Sequence, residues 1–521
     1  MSDLTASEGS YRHKWLALLV MLMAPFMALL DANIVFVANP SIQHGLHASS
    51  EQIQFVISGY TIAYAVNLIT AGRLGDTYGR KRIFMIGMAA FTITSAFCAF
   101  AQDPLSLIIT RVFQGAASAL MFPQALSIIQ ATFISKQKNT AIALYGATIG
   151  IGGAVGQFLG GFLVETNLFN LDWRLIFLVN VPIGLGTLIA ALLIVHESKS
   201  EKPIRLDIGG AAIMSIILFL LLYPLIEGRN SGWPLWMYAA IIVSIILIIP
   251  FIFFERRLLV SSEYNDNTKN SIRSNSASKP PLMPLSLFRD RGFVIGMSII
   301  IVFYVGNPVL LFVLTFYLQN GLGFSPLASG LTFLPMGVGV LISSLLTSKI
   351  LPKLDARILS IGACIEIMGL TLLVITAQQE SNIGLQWSQL MLYNFVIGIG
   401  LGLVIVPLIN IILSRVKNQQ YAGAASGVLS TMMQIGYSMG IALIGSIFFG
   451  LVGTAPNSAT DDITSHSNQS AAHVRIHQYT DALVTSLLFS IGLVIMTFCL
   501  IFFLPSIDSK EYTKGRVKLR G

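Results

Sequence analysis

The sequence predicts an all-α membrane protein with fourteen transmembrane helices, from its composition and from the spacing of its apolar residues. Of its 521 residues, 54% are hydrophobic and only 11% are charged, whereas soluble domains carry about a quarter charged residues. The apolar residues form long runs, and an α-helix needs about 20 such residues to cross a bilayer. Most charged residues lie in the short segments between these runs.

Fourteen runs satisfy this length rule. The first run contains Asp31 and is too long for the apolar part of a signal peptide, so we expect a retained helix. The predicted helices cover about residues 15–38, 51–71, 83–101, 105–131, 140–164, 174–195, 207–227, 234–254, 293–318, 325–348, 357–377, 388–412, 423–452 and 480–504.

The distribution of Lys and Arg predicts the orientation. With the N-terminus in the cytoplasm, the external loops hold only Arg229 and Arg475 of the 32 basic residues. Basic residues concentrate in cytoplasmic loops, so we expect a multi-pass protein of a bacterial-type cytoplasmic (inner) membrane with both termini inside. The net charge of +8 is spread over these loops and not over one polar face, which favours contact with the lipid bilayer and excludes nucleic acid as the expected partner.

A repeated inner-loop pattern predicts two related halves. The segment 72–82 reads G-R-L-G-D-T-Y-G-R-K-R after the second helix, and 348–357 reads S-K-I-L-P-K-L-D-A-R after the tenth. Parallel repeats are a known transporter plan, so we expect two pseudo-symmetric six-helix bundles with two helices inserted between them. The predicted segments are an N-terminal bundle (1–200), an inserted helix pair (201–256), a cytoplasmic linker (257–292), a C-terminal bundle (293–506) and a basic cytoplasmic tail (507–521).

Three ionisable residues inside the predicted helices are candidates for proton coupling: Asp31, Arg111 and Glu366. An unpaired charge at the bilayer centre costs about 3 kcal/mol on insertion scales, so such residues usually serve a function. A carboxyl group at Asp31 could take up a proton in one conformation and release it in another, or it could cap a neighbouring helix. Arg111 stays charged, and it either takes part in proton coupling or only holds helices together. Glu366 is either a second proton site or a residue that faces a polar contact between helices.

The segment 72–82 is a candidate conformational latch. Its basic residues Arg80, Lys81 and Arg82 would alone serve as a topology signal. The acid Asp76 among glycines indicates instead a tight turn, in which the carboxylate meets a helix N-terminus or an arginine. The latch residues are Gly72, Asp76, Gly79, Arg80, Lys81 and Arg82.

The fifth helix is rich in glycine from residue 146 to residue 161. Small residues allow membrane helices to approach each other closely and allow bending. We therefore expect close packing and a hinge in this helix. The hinge residues are Gly150, Gly156, Gln157, Gly160 and Gly161.

No phosphate-binding loop G-x-x-x-x-G-K-[ST] and no H-E-x-x-H zinc motif occurs in the sequence. We therefore expect neither an enzyme nor a bound cofactor or metal ion.

Five motifs occur in order along nearly the whole chain. They are L-D-A-N-I-V at 30–35, G-R-L-G-D-T-Y-G-R-K-R at 72–82, R-V-F-Q-G at 111–115, D-W-R at 172–174 followed by Phe177, Asn180, Pro182 and Gly184, and Y-L-Q at 317–319 followed by G-F-S-P at 323–326 and Gly330.

Together these motifs resemble the fourteen-helix drug:proton antiporter branch of the major facilitator superfamily, the EmrB/QacA type. The resemblance implies the major facilitator fold and proton-coupled export of drugs or other amphiphiles by alternating access, with the proton as coupling ion. One departure concerns the hinge, because the branch usually has Gly-Pro where this chain has Gly156 and Gln157. We also expect a central cavity that accepts planar or cationic amphiphiles, because aromatic and amide side chains suit such compounds. The candidate cavity residues are Asn33, Tyr60, Tyr64, Tyr304, Asn307 and Gln434.

Other functions stay open from the sequence. A dedicated transporter of one physiological solute, such as a siderophore or secondary metabolite, would share this fold. A channel or membrane sensor is a further alternative. The sequence also leaves open the cooperation of a periplasmic adaptor.

Overall fold

The computed structural model describes residues 14–133, 135–198, 207–228, 231–268, 285–354, 356–379, 387–416, 422–452 and 467–505. Fourteen helices in these ranges are long and apolar enough to cross a membrane. The predicted number of transmembrane helices is therefore confirmed.

The spans are numbered α1 to α14 in chain order. Two of them are interrupted within the membrane, and one continues into π-helical turns. The bounds are α1 Lys14–Leu46, α2 Ser50–Tyr78, α3 Arg80–Ala99, α4 Pro104–Thr132, α5 Ser135–Thr166, α6 Leu175–Leu178 with Asn180–Ile194, α7 Ile208–Glu227, α8 Leu235–Thr268, α9 Arg291–Gly306 with the turns Val309–Val313, Leu314–Phe316 and Tyr317–Gly321, α10 Pro326–Leu331 with Leu334–Leu354, α11 Arg357–Gln379, α12 Trp387–Ser414, α13 Ala422–Val452 and α14 Ser467–Ile501.

Local capping explains where several helices begin. The backbone N–H of Gln52 donates to the Ser49 hydroxyl at 3.2 Å before α2, and the Ser106 N–H donates to Asp103 Oδ1 at 3.0 Å before α4. These bonds satisfy N–H groups that have no partner within the helix. The bond from Ser106 also lowers the pKa of the exposed Asp103 carboxyl group.

The helices of α1 to α6 pack in the same pattern as those of α9 to α14. In the first set, α1 packs on α5, α2 on α4, and α3 on both α4 and α6. In the second set, α9 packs on α13, α10 on α12, and α11 on both α12 and α14. The chain therefore forms two pseudo-symmetric six-helix bundles.

The two bundles meet through α2, α4 and α5 on one side and α10, α12 and α13 on the other. We call the face of the molecule that carries the start of α1 the N-terminal face, and the other end the opposite face. Near the N-terminal face, Gly72 of α2 lies against the backbone of Gly423 in α13. Near the opposite face, Gly161 of α5 lies against Pro326 of α10. Glycine permits such close contacts because it has no side chain.

The inserted helices α7 and α8 differ in their surroundings. The α7 helix packs against both α2 and α13, with Leu218 and Leu222 in a cluster with Ile69 and Ile435. The α8 helix packs mainly against α7 and exposes a series of isoleucines along its length. An α-helix that is apolar all round and lies outside the bundle suits contact with lipid.

Several predicted bounds differ from the structure because the length rule detects only the apolar part of a helix. The α2 helix continues to Tyr78, so the tight turn predicted from Gly72 is wrong, and only Gly79 leaves the helix, at a φ of 108°. The α8 helix extends to Thr268, into the predicted linker 257–292, and α14 begins at Ser467. Residues 269–284 of the linker and the tail 507–521 lie outside the described residues.

Gly115 of α4 provides a test of the packing between α2 and α4. A Cβ atom there would lie 2.2 Å from the Tyr60 carbonyl oxygen, so Gly115→Ala must push the helices apart. We expect a loss of about 1–3 kcal/mol in stability, the usual cost of overpacking, seen as a lower melting temperature of the detergent-solubilised protein. The control is Gly492→Ala in α14, where nothing lies within 4 Å. Equal melting temperatures for the two variants would contradict the close contact.

Candidate functional site

A buried ion pair joins α1 to α4. Arg111 Nη1 donates a hydrogen bond to Asp31 Oδ2, and the side chains are 1% and 0% exposed. Because α1 continues to Leu46, Asp31 lies near the middle of this helix and not toward its outer end, where the predicted bounds 15–38 would place it. Each charge alone would be costly to bury, so each requires the other.

Two amide side chains complete the coordination of the Asp31 carboxylate. Gln114 Nε2 and Asn180 Nδ2 donate to Asp31 Oδ1 at 3.0 and 2.8 Å. Both amides also donate to the Ser95 hydroxyl, each at 3.1 Å. Arg111 Nη1 donates to Gln114 Oε1 at 2.8 Å. The carboxylate is therefore bound by donors from α4 and α6, which are themselves oriented by α3.

Arg111 also contacts α2. Its Nε donates to the Val56 carbonyl at 3.2 Å, and its guanidinium carbon lies 4.2 Å from the centre of the Tyr60 ring. The Tyr60 hydroxyl is within hydrogen-bond distance of both the Ala28 carbonyl, at 3.1 Å, and Ser118, at 2.9 Å. This cation–π contact offsets part of the cost of burying the charge. One polar cluster thus connects α1, α2, α3, α4 and α6.

Three members of this cluster are not among the predicted site residues: Ser95, Gln114 and Asn180. Gln114 and Asn180 nonetheless belong to the motifs at 111–115 and 172–184. Gln114 follows Arg111 by three residues, and residues at this spacing share a helix face, so a local signal for Gln114 was present. Ser95 and Asn180 lie on other helices, and only the packing of α3 and α6 brings them to Asp31.

A central cavity lies between the two bundles. Arg111 borders the cavity, whereas Asp31 lies behind it. Both bundles contribute to the walls. All six predicted cavity residues line it: Asn33, Tyr60, Tyr64, Tyr304, Asn307 and Gln434.

The cavity wall is mostly aromatic and aliphatic. Tyr60 stacks on Tyr64 with ring centres 6.1 Å apart, and Phe122 meets Tyr64 edge-on at 5.6 Å. Arg111 is the only charged side chain among the residues that line the cavity in the described part of the chain. Flat apolar surfaces with few polar groups suit an amphiphilic ligand.

The polar atoms at the cavity that have no hydrogen-bond partner within the described residues include Asn33 Oδ1 and the Tyr304 hydroxyl. The amide nitrogen of Asn33 donates to Leu29 of its own helix at 2.7 Å, which leaves the oxygen as an acceptor. A buried polar atom without a partner is costly, so a bound molecule with matching polar groups would gain by pairing with them.

Asp76 links the bundles near the N-terminal face. Arg80 Nη2 donates to Asp76 Oδ1 at 2.9 Å. The same carboxylate lies against Gly423 and interacts with the backbone N–H of Ala424, in the first turn of α13. A carboxylate at a helix N-terminus is stabilised by the free N–H groups and the helix dipole. The predicted acid therefore meets both an arginine and a helix N-terminus.

The remaining basic latch residues stay within the first bundle. Glu197 accepts hydrogen bonds from the backbone N–H groups of Lys81 and Arg82 at 3.0 and 3.2 Å, and the Lys81 side chain donates to the Leu192 carbonyl at 3.1 Å. These bonds attach the start of α3 to the segment after α6. They do not cross between the bundles.

The α5 glycines lie on two faces of an uninterrupted helix. Gly156 and Gly160 lie against the α1 backbone, at the carbonyl groups of Leu30 and Ile34, whereas Gly150 and Gly161 face α10. These positions account for the predicted close packing. The predicted hinge role stays a prediction.

Gln157 connects α5 to α9. Its Nε2 donates to the Leu311 carbonyl at 3.2 Å, and Thr315 donates to its Oε1 at 3.4 Å. Leu311 belongs to a π-helical turn and lines the central cavity. A glutamine at this position thus makes a polar contact between the bundles that a proline could not make.

Glu366 lies apart from the other candidates for proton coupling. It is buried on α11, where a Cβ atom on Gly400 of α12 would lie 2.6 Å from the Glu366 backbone nitrogen. It neither lines the central cavity nor contacts Asp31 or Arg111. Glu366 Oε2 has no hydrogen-bond partner in the part of the chain described, and its function as a second proton site stays a prediction.

Known proteins resemble the chain over most of its length. The family model "Major Facilitator Superfamily" matches residues 21–441. The probable actinorhodin transporter of Streptomyces coelicolor is 35% identical over 90% of this chain and 78% of the relative. The tetracenomycin C resistance and export protein of Streptomyces glaucescens is 32% identical, covering 86% of this chain and 78% of the relative.

A solved structure supports the fold. The human organic anion transporter MFSD10 (TETRAN) aligns with a TM-score of 0.58 at 12% identity, over 94% of this chain and 99% of that chain. At this identity the likeness concerns the fold alone. With the family model, the relatives and the two six-helix bundles in agreement, the chain belongs to the major facilitator superfamily.

Proposed function

We propose that this protein is a proton-coupled exporter of drugs or other amphiphilic compounds. The observation that carries the proposal is the buried Asp31–Arg111 pair beside a cavity built by both bundles. Relatives named for the transport or export of actinorhodin and tetracenomycin C support export as the direction. The aromatic wall of the cavity favours planar amphiphiles, and the proton is the only coupling ion proposed.

The N-terminal face is the cytoplasmic face in this proposal. The chain is a multi-pass membrane protein, and its basic loops lie on the side of the N-terminus. We place it in the cytoplasmic (inner) membrane of a bacterial cell, with both termini inside.

Protonation of Asp31 is the proposed coupling step. The ionised carboxylate accepts bonds from Arg111, Gln114 and Asn180, and a proton on this group would remove the charge that Arg111 requires. Arg111 would then shift its interactions toward the cavity, where it already contacts Tyr60. Binding of the exported compound and binding of the proton would thus both act on Arg111. Each would change the relative populations of the two orientations of the bundles in a different way.

The contact of Asp76 with α13 would stabilise the state in which the N-terminal face is closed. Opening this face requires α2 and α13 to separate, and the carboxylate would lose the N–H groups of the α13 N-terminus. The latch would therefore set the relative populations of the two states.

The test of the function uses purified protein in liposomes with an imposed pH gradient and a panel of fluorescent planar compounds, including ethidium and doxorubicin. Proton-driven transport of several compounds supports the proposal. Transport of one solute alone would instead identify a dedicated transporter, and flux that persists without a proton gradient would contradict proton coupling.

We expect Asp31→Asn to lower the rate of gradient-driven transport while exchange of labelled for unlabelled compound continues. The amide keeps the shape of the side chain but cannot bind and release a proton. The loss should be about tenfold or more, which corresponds to about 1.4 kcal/mol in the rate-limiting barrier. The control is Asp103→Asn, an exposed cap at which Asn is also favoured. Gradient-driven transport at the wild-type rate would rule out Asp31 as the coupling group.

We expect Asp76→Asn to leave the protein inserted and folded but to lower the transport rate, because the charge at the α13 N-terminus is lost. Cross-linking across α2 and α13 near the N-terminal face should also become less efficient. Thr77→Val is the matched control, since among the described residues this hydroxyl bonds within α2, to the Arg73 carbonyl at 2.9 Å. Full transport activity in Asp76→Asn would reduce the segment 72–82 to a topology signal.

A further inference from the structure

A second cavity opens near the opposite face, next to the central cavity. Helices of both bundles form its walls, together with Ile226 of the inserted helix α7. We call this second cavity the vestibule.

The vestibule and the central cavity share a thin wall. Ile57 of α2 lines both cavities. Phe36 lines the central cavity and meets Phe312, which lines the vestibule, with ring centres 5.7 Å apart in an edge-on arrangement. These three side chains therefore form the wall between the two spaces.

The surface of the vestibule is aromatic with a polar margin. Phe312, Phe316 and Phe449 form a mutual cluster with ring centres 5.1 to 5.9 Å apart. Asn39 and Gln54 also line the space, and Asn39 Oδ1 has no hydrogen-bond partner among the described residues. Edge-on and stacked ring contacts, with an amide nearby, suit a flat aromatic group that carries oxygen or nitrogen substituents.

We propose that the vestibule is an exit site that holds the aromatic part of the exported amphiphile after it leaves the central cavity. This inference rests on the proposed function. The continuity with the central cavity identifies the exported compound as the occupant. The α7 helix, which packs across α2 and α13, covers the side toward the bilayer and makes a lipid chain the less fitting occupant.

Gly445 of α13 offers a way to fill the vestibule. It lines this space, and a Cβ atom there would meet only Phe312 Cε1, at 3.5 Å. A larger side chain at this position would therefore enter the open space without meeting backbone. Gly450 lies on the same helix and is exposed, and a Cβ atom added there would have nothing within 4 Å. Gly445→Leu and Gly450→Leu are thus a matched pair.

The experiment measures doxorubicin transport in liposomes and doxorubicin binding to the detergent-solubilised protein by fluorescence anisotropy. We expect Gly445→Leu to slow gradient-driven transport by about tenfold, because release from an outward site limits many carriers and enzymes. Its dissociation constant should stay within about twofold of the wild-type value, a difference under 0.5 kcal/mol. Gly450→Leu should match the wild type in both measurements.

Each other result overturns the inference. Transport by Gly445→Leu at the wild-type rate would show that the exit path lies elsewhere, and a lipid chain would then be the better candidate for the occupant of the vestibule. Loss of both binding and transport would assign the effect to the central cavity or to misfolding. If the wild-type protein itself shows no proton-driven transport, the proposed function is wrong. The wild-type measurement therefore separates failure of the proposed function from failure of the exit site alone.

Discussion

Two opposite charges, on Asp31 and Arg111, lie in contact inside the first bundle, and the arrangement of the surrounding helices depends on them. Burying an ion costs several kcal/mol, and Coulomb attraction offsets this only when the remaining donors and acceptors are also paired. Here Gln114 supplies a contact from α4 itself, and Asn180 of α6 and Tyr60 of α2 supply contacts from two further helices. The polar cluster therefore determines which faces of these helices point inward.

Glycine determines how closely the bundles approach each other. Gly72 lies against Gly423 near the N-terminal face, and Gly161 lies against Pro326 near the opposite face. Contacts of this kind depend on van der Waals packing and leave few large side chains to interlock. Interfaces without interlocking side chains can separate and re-form at low cost, which suits a protein whose two halves must move against each other.

The sequence predicted the fold well and the site in part, for identifiable reasons. The apolar runs gave the number of helices, and the polar or aromatic residues within them gave the cavity positions, because such residues avoid lipid and face the interior. The contacts of Ser95 and of Leu311 could not be predicted, since Ser95 meets Gln114 only through the packing of α3 and the Leu311 carbonyl accepts a bond from Gln157 of the other bundle. The extension of α2 to Tyr78 was also missed, because backbone hydrogen bonds continue a helix after its apolar residues end.

The position of α7 ties the lipid to the motion of the protein. This helix touches α2 of one bundle and α13 of the other, and α8 is attached mainly through α7. In the proposed rotation of the bundles, α7 would slide over at least one of them, and α8 would be carried sideways through the bilayer. The free energy of the lipid around α8 in each position would then enter the energy difference between the two orientations. Bilayer thickness and fluidity would act on the transport rate through this helix pair, at a distance from the polar cluster.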